Sequence, residues 1–228
     1  MPIRNRFLSA DTIPVPAPTL CKCGGYPRPL LWRAVRSSAQ GAVYSAPARA
    51  RSRIPVVTTM MGLGLMPSSH PLYLGMLGSF GCSAANYAIH HSDLLILIGT
   101  RAGDRAMRQP GVLERQTRII HIDIDPAEIR KNMEANIPLV ADARLVLEEL
   151  CETCQATDTG MWLAELREKQ GVGAPFSDRP SFVNPHRLIA ALTKALDSDA
   201  VYVADVGLNQ IWSARSANIK DGRFLTSG

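Results

Sequence analysis

The stretch that decides the fold is Leu94–Arg101, LLILIGTR. Five apolar residues run without a polar break and end on Gly99-Thr100-Arg101. A run this short and this continuously apolar predicts a strand buried on both faces, as in a parallel sheet covered by helices. Some twenty residues on, Ile119–Asp123 (IIHID) has the same texture and ends in acids, Asp123 and Asp125. Ile54–Thr59 (IPVVTT) and Ala200–Ala204 (AVYVA) predict two more strands, and Leu139-Val140 a short one. Helical patterns fall between them, over Ser83–His91, Pro126–Met133, Ala143–Leu150, Trp162–Lys169 and Pro185–Leu196. Strands that alternate with helices predict βαβ units, hence an α/β fold with a parallel sheet and helices on both faces.

Helix starts carry local chemistry. Asp125-Pro126-Ala127-Glu128 and Asn184-Pro185 each offer a capping side chain followed by a proline suited to the first helical position. The polar stretch 151–180, with Gly171, Gly173, Pro175 and Pro180, predicts a linker that is helical around Trp162.

The first quarter differs from the rest. Residues 1–53 hold nine Lys/Arg against the single acid Asp11, a net of +8, while residues 54–228 carry −3. The basic balance of +5 therefore belongs to a Pro- and Arg-rich segment, and the remainder shows no nucleic-acid footprint. Pro14, Pro16, Pro18, Pro27 and Pro29 predict a segment without helix or central strand. It reads as a flexible tail; an organellar transit peptide and a nucleic-acid arm are alternatives with no motif behind them. No apolar run approaches the ~20 residues that span a bilayer. Five cysteines argue against a disulfide scaffold, and with no secretory apolar core at the start the expected location is the cytoplasm.

Two turns could carry chemistry. In an open parallel sheet, ligands sit beyond the carboxyl ends of the strands. Gly99 would let a ligand approach the backbone, Arg101 could meet a phosphate with a planar fork, and an acid at the end of IIHID could accept from ribose hydroxyls. The bland alternative is a sheet without ligand, in which Arg101 pairs with Asp104 and Asp125 only caps a helix. The second turn is Asp205–Gln210, where a strand would pass through Gly207 into a helix and leave amides open to a phosphate. Cys151 and Cys154 have no second pair at zinc spacing, so they read as ordinary thiols.

Several separated motifs then fall into one known pattern. IPVVTTMMGLG (Ile54–Gly64), HPLYLGMLGSFG (His70–Gly81), AANYAIHHSDLLILIGTRAGDR (Ala84–Arg105) and RIIHIDIDPAEIRKN (Arg118–Asn132) resemble the central domain of the catalytic subunit of acetolactate synthase, a thiamine-diphosphate enzyme. DVGLNQIWSA (Asp205–Ala214) and RFLTSG (Arg223–Gly228) resemble the opening of that family's diphosphate-binding domain. About three quarters of the chain is covered.

The resemblance implies a Rossmann-like (DHS-like) central domain over 54–150 and a truncated start of a second α/β domain over 181–228. The family decarboxylates pyruvate and joins the two-carbon unit to a second 2-keto acid, in branched-chain amino-acid synthesis. It uses thiamine diphosphate, Mg²⁺ and, in many members, FAD. The implied partners are a homo-oligomer and a regulatory small subunit. FAD contacts would fall on Thr59, Met60, Leu77, Gly78, Gly99, Thr100, Arg101, Arg105 and Asp123. Diphosphate contacts would fall on Val206, Gly207, Leu208 and Asn209. Ser79-Phe80 stands where flavin-binding members have Met-His, Gly103 replaces an Asp, and Leu208 replaces a Gln; each change removes a polar contact.

The family's activating glutamate and metal ligands match nothing in the chain, so no catalytic or metal residue is assigned. Arg28-Pro29-Leu30-Leu31 and Val35-Arg36-Ser37-Ser38 faintly resemble the family's first central strand and following turn, with Trp32-Arg33-Ala34 where glycines are expected, and the expectation is an inactive fragment with residues 1–50 read from a shifted frame. Acetolactate formed by the purified chain from pyruvate, Mg²⁺ and cofactor would contradict the first part. Another thiamine-diphosphate decarboxylase or carboligase, or a non-enzymatic nucleotide-binding module, are the alternatives.

Overall fold

The computed structural model of the chain describes residues 28–33, 53–103, 106–107, 110–153, 158–170, 181–221 and 223–226. Six strands form one parallel sheet: β1 (Pro29–Arg33), β2 (Val56–Thr58), β3 (Tyr73–Met76), β4 (Leu94–Ile98), β5 (Arg118–Asp123) and β6 (Ile137–Val140). Their order is β3-β2-β1-β4-β5-β6. The chain builds outward from β1 in one direction and then crosses to the other side of it, so the switch point lies where β1 and β4 run side by side.

The LLILI run sits in the middle, as its unbroken hydrophobicity requires. Leu95 and Leu97 face one core with Leu30, Val57, Ala85, Leu113 and Trp162. Ile96 and Ile98 face the other with Ile120, Ile122 and Val146. Each such side chain taken from water contributes about 1.5–3 kcal/mol. Helix α1 (Ser83–His91) turns Ala84, Ala85, Ala88 and Ile89 inward. Helix α2 (Pro110–Gln116) buries Leu113 against the same core. Helix α3 (Ala143–Thr153) covers the opposite face through Val146, Leu147 and Leu150. Helices therefore lie on both faces, as expected of a Rossmann-like α/β sheet.

Besides β3 and α2, which the sequence reading did not anticipate, the structure differs from that reading at three places. First, β1 lies inside the segment whose prolines predicted no central strand. It pairs with both β2 and β4, Leu30 opposite Leu95 and Leu31 opposite Val56. Pro29 is tolerated because it opens the strand, where no ladder donor is needed. The preceding residue does the anchoring: Arg28 N–H donates to the Asp93 carboxylate at 2.9 Å, and Asp93 N–H donates to the Arg28 carbonyl at 3.1 Å. The sheet thus begins before residue 54.

Second, the stretch read as linker contains helix α4 (Gly160–Glu168), which packs back on the sheet. Trp162 is wholly buried and donates Nε1–H to the Pro29 carbonyl at 3.2 Å. Glu165 accepts from Tyr87 Oη at 2.6 Å and pairs with Arg28 at 3.2 Å.

Third, Pro126–Met133 is a run of turns, not a helix. Asp125 does cap, accepting from Ala127 N–H at 2.9 Å. Arg130 then adopts a left-handed φ of 61°, which stops propagation, and the side chains of Glu128 and Asn132 are drawn to Arg101.

Past residue 181, helix α5 (Pro185–Ala195) starts as its Asn-Pro signal predicts: Asn184 accepts from His186 N–H and Arg187 N–H. Strand β7 (Val201–Ala204), helix α6 (Leu208–Ser216) and strand β8 (Arg223–Thr226) follow, and β7 and β8 pair in parallel. Ala204, Ile219 and Phe224 pack with Leu63 and Met76, joining this piece to the β3 side of the sheet. Ser68 and Ile219 close the seam with reciprocal hydrogen bonds of 2.7 and 3.1 Å. No helix among the described residues is long and apolar enough to cross a membrane.

Candidate functional site

The carboxyl ends of β2, β3, β4 and β5 gather all but one of the residues expected on the sheet. Arg105 lies outside the described residues. Gly99, Thr100 and Arg101 leave β4 next to the end of β5, since Ile98 pairs with Ile122 and Gly99 N–H donates to the Ile122 carbonyl at 2.8 Å. Gly99 has φ 59°, left-handed backbone that glycine adopts without penalty. Asp123 ends β5, and its carboxylate accepts from Asp125 N–H at 3.0 Å.

On the other side of β1, Thr59 and Met60 follow β2, and Leu77 and Gly78 follow β3. Leu77 N–H donates to the Thr58 carbonyl, locking these two turns together. Gly78, at φ 108°, is gripped by Asn86: the amide oxygen accepts from Gly78 N–H at 2.8 Å and the amide nitrogen donates to the Gly78 carbonyl at 2.9 Å. Thr59 Oγ1 is buried and has no partner among the described residues. A buried hydroxyl left unbonded costs free energy. A cavity of about 290 Å³ opens beside Gly78, lined also by Ser79, Asn86, His90 and Met107. It does not include Gly99 or Arg101.

Arg101 does not stand free. Its Nε lies 3.6 Å from Glu128 Oε1, and Lys131 Nζ lies 3.0 Å from the same oxygen. Glu128, not Asp104, is the partner found, and Asp104 lies outside the described residues. Arg101 is 62% exposed, so this pair contributes at most about 1 kcal/mol. Asn132 Nδ2 donates to the Arg101 carbonyl at 2.7 Å. His121, 2% exposed, bonds the Thr100 carbonyl through Nε2 at 3.0 Å. Burial pulls its pKa below the ordinary 6.5, against the opposing pull of that bond and of Asp123 and Glu128. Sequence reasoning assigned no role to His121, Glu128 as a partner, Asn132 or Asn86. The one available signal was a histidine inside the apolar run IIHID, a polar group at a core position.

The second turn, Asp205–Asn209, links β7 to α6. Gly207 is the N-cap of α6 at φ 138°, and no side chain caps the helix amides. A Cβ at Gly207 would lie 2.7 Å from Asn209 Oδ1. Asn209 Nδ2 in turn donates to the Asp205 carbonyl at 3.1 Å. Val206 and Leu208 are exposed. Among the described residues, no group of three metal-ligating side chains occurs.

A six-stranded parallel sheet with glycine turns at the carboxyl ends of β3 and β4 defines the class, and residues 46–150 match the family described as thiamine pyrophosphate enzyme, central domain. Over residues 46–150 the chain belongs to that family. Within it, the similarity is to acetolactate synthase large subunits. The chain is 41% identical over 189 residues to the probable acetolactate synthase large subunit of Methanocaldococcus jannaschii, covering 77% of this chain and 32% of that one. It is 40% identical over 183 residues to the large subunit of Corynebacterium glutamicum, covering 77% and 29%. It is 35% identical over 197 residues to the isozyme 1 large subunit of Escherichia coli, covering 82% and 35%. The chain spans about a third of the length of the curated relatives it matches.

Proposed function

We propose that this chain provides the central domain and the opening βα segment of the diphosphate-binding domain of an acetolactate synthase-like enzyme. The substrates would be pyruvate and a second 2-keto acid, the setting branched-chain amino-acid synthesis in the cytoplasm, and the assembly a homo-oligomer with a regulatory small subunit. The observation that carries this reading is the extent of the match, 33–41% identity to acetolactate synthases over 77% of the chain, which is more than the family model's residues 46–150.

Val206, Gly207, Leu208 and Asn209 are the diphosphate contacts in this reading. Their geometry fits an anion: the first amides of α6 have no side-chain cap, and glycine at φ 138° leaves space where a Cβ would collide with Asn209. When bound, thiamine diphosphate supplies the carbon nucleophile that adds to the 2-keto acid and accepts the electrons left by decarboxylation. The chain's own part is to bind and orient the diphosphate through backbone amides. Mg²⁺ is assigned no ligand from this chain.

In the same reading the carboxyl ends of β2–β5 would receive the nucleotide half of FAD. Gly99 would let a phosphate approach the backbone, the Arg101 guanidinium would turn from Glu128 to meet it, Asp123 would accept from the ribose and Thr59 keeps an unbonded hydroxyl, while Gly78, bonded to Asn86 through both its N–H and its carbonyl, would offer contact only. Met60, Leu77 and Thr100 complete the set, with Arg105 proposed from sequence alone.

Amide chemical shifts of the full chain test both sites. Thiamine diphosphate, but not thiamine, should shift Val206–Asn209, and FAD should shift Gly78 and Gly99–Arg101. No shift in the first set with saturating thiamine diphosphate would defeat the diphosphate assignment, and none in the second the flavin assignment.

A further inference from the structure

The turn after β4 is pinned at consecutive residues from one neighbouring segment. Gly99 N–H bonds the Ile122 carbonyl, the Thr100 carbonyl bonds His121, and the Arg101 carbonyl bonds Asn132. Glu128 adds an ion pair to the Arg101 side chain. Ala102 closes the turn with its N–H on Thr100 Oγ1 at 3.3 Å.

The backbone held this way is strained. Ala102 adopts φ 46°, a left-handed conformation that a residue with a Cβ keeps only where its surroundings over-determine it. Ala102 is also 4% exposed, so the strain is buried with it.

His121 is an expensive residue for the centre of a sheet. A carbonyl can only accept, so Nε2 carries the proton and Nδ1 is a bare acceptor. Nδ1 is buried without a partner among the described residues. A leucine would occupy the space without leaving an unbonded acceptor. What the imidazole offers that leucine does not is the bond to Thr100. Asn132 offers the next bond along, from an exposed position where packing demands nothing of it.

We propose that His121 and Asn132 are positioning residues that hold Gly99–Ala102 in the conformation presented to a phosphate-bearing ligand, while Glu128 tethers the Arg101 side chain. The ligand clause rests on the cofactor reading above. The pinning itself is a property of the ligand-free chain and is tested separately.

The test is amide hydrogen exchange on the full 228-residue chain, with FAD titration as a second readout. His121→Leu should speed exchange at Gly99 and Ala102 by about tenfold or more while Leu95 and Ile96 in β4 stay protected. His121→Gln, whose amide nitrogen stands in for Nε2, should restore protection. Asn132→Ala, a surface change that leaves the core intact, should speed Ala102 in the same way. In both His121→Leu and Asn132→Ala the FAD dissociation constant should rise about tenfold, and His121→Gln should recover it. Unchanged exchange at Ala102 in Asn132→Ala and His121→Leu overturns the proposal, as does a His121→Gln variant no better than His121→Leu. A wild-type chain that takes up no FAD overturns the ligand clause alone, and exchange then decides the pinning.

Discussion

Gly207 and His121 are the two residues whose substitution says most. Gly207→Val puts a β-branched side chain at φ 138°, where the new Cβ meets Asn209 Oδ1. Asn209 must swing away and lose its bond to the Asp205 carbonyl. The expected loss is about 1–3 kcal/mol in urea unfolding, together with the amide shifts that thiamine diphosphate induces in the wild type. A variant as stable as the wild type, with those shifts intact, would contradict the account. His121 is buried neutral, so its folded pKa lies below the unfolded 6.5. The unfolded chain therefore binds more protons between those two values, and stability falls as pH drops below 6.5 through the folded value. Above 6.5 the contribution is complete. His121→Leu should flatten that decline relative to wild type in unfolding series from pH 7.5 downward; an unchanged slope would mean His121 is not the group responsible. The residues at the strand ends were legible because an apolar run stops on Gly99-Thr100-Arg101 and another on Asp123. His121, Glu128 and Asn132 were not, because their roles depend on which carbonyl lies across the sheet, and spacing along one segment carries no such information.

At the scale of elements, α1 was legible to the residue, since a run of small and apolar residues ends in His90-His91 just before a strand. LLILI and IIHID were legible for the same reason, being too short for helices and too apolar for surface. β3 was missed: YLGM is four residues with a glycine inside, and it is a strand only because β2 lies beside it. In the pattern of prolines β1 was hidden by Pro29, whose place at the strand's first position makes the missing donor harmless, and only the faint family resemblance of Arg28–Leu31 pointed to it. The turns over 126–133 looked helical because capping signals are local, whereas Arg101 competes for Glu128 and Asn132 from 27 and 31 residues away in sequence. Helix α4 gives the element-scale prediction. Trp162 fills the space under β1 and ties it to the helix by one hydrogen bond. Trp162→Ala should cost about 3–5 kcal/mol and raise protease sensitivity between α3 and α5. A cost under about 1 kcal/mol would show that α4 does not support the sheet.

For the whole molecule, the layered α/β architecture followed from the alternation of patterns, whereas the limits of the sheet did not, because β1 and α4 join it from stretches that read as tail and linker. The C-terminal piece has one face sealed by Tyr202, Ala204 and Phe224 and the other open, with Val201, Val203 and Leu225 exposed. Helix α5 adds exposed Leu188 and Leu192. Apolar surface of this extent predicts self-association, read as a sedimentation coefficient that rises with micromolar concentration; a strict monomer throughout would contradict it. The account as a whole rests on a parallel sheet with β1 at its centre. Cross-strand proton–proton distances from nuclear Overhauser effects test that most directly. The account predicts a parallel pattern placing Leu31 beside both Ile96 and Val56, and Leu95 beside Ile119. An antiparallel pattern, or β4 contacting β2 with no contact to residues 29–33, would contradict it.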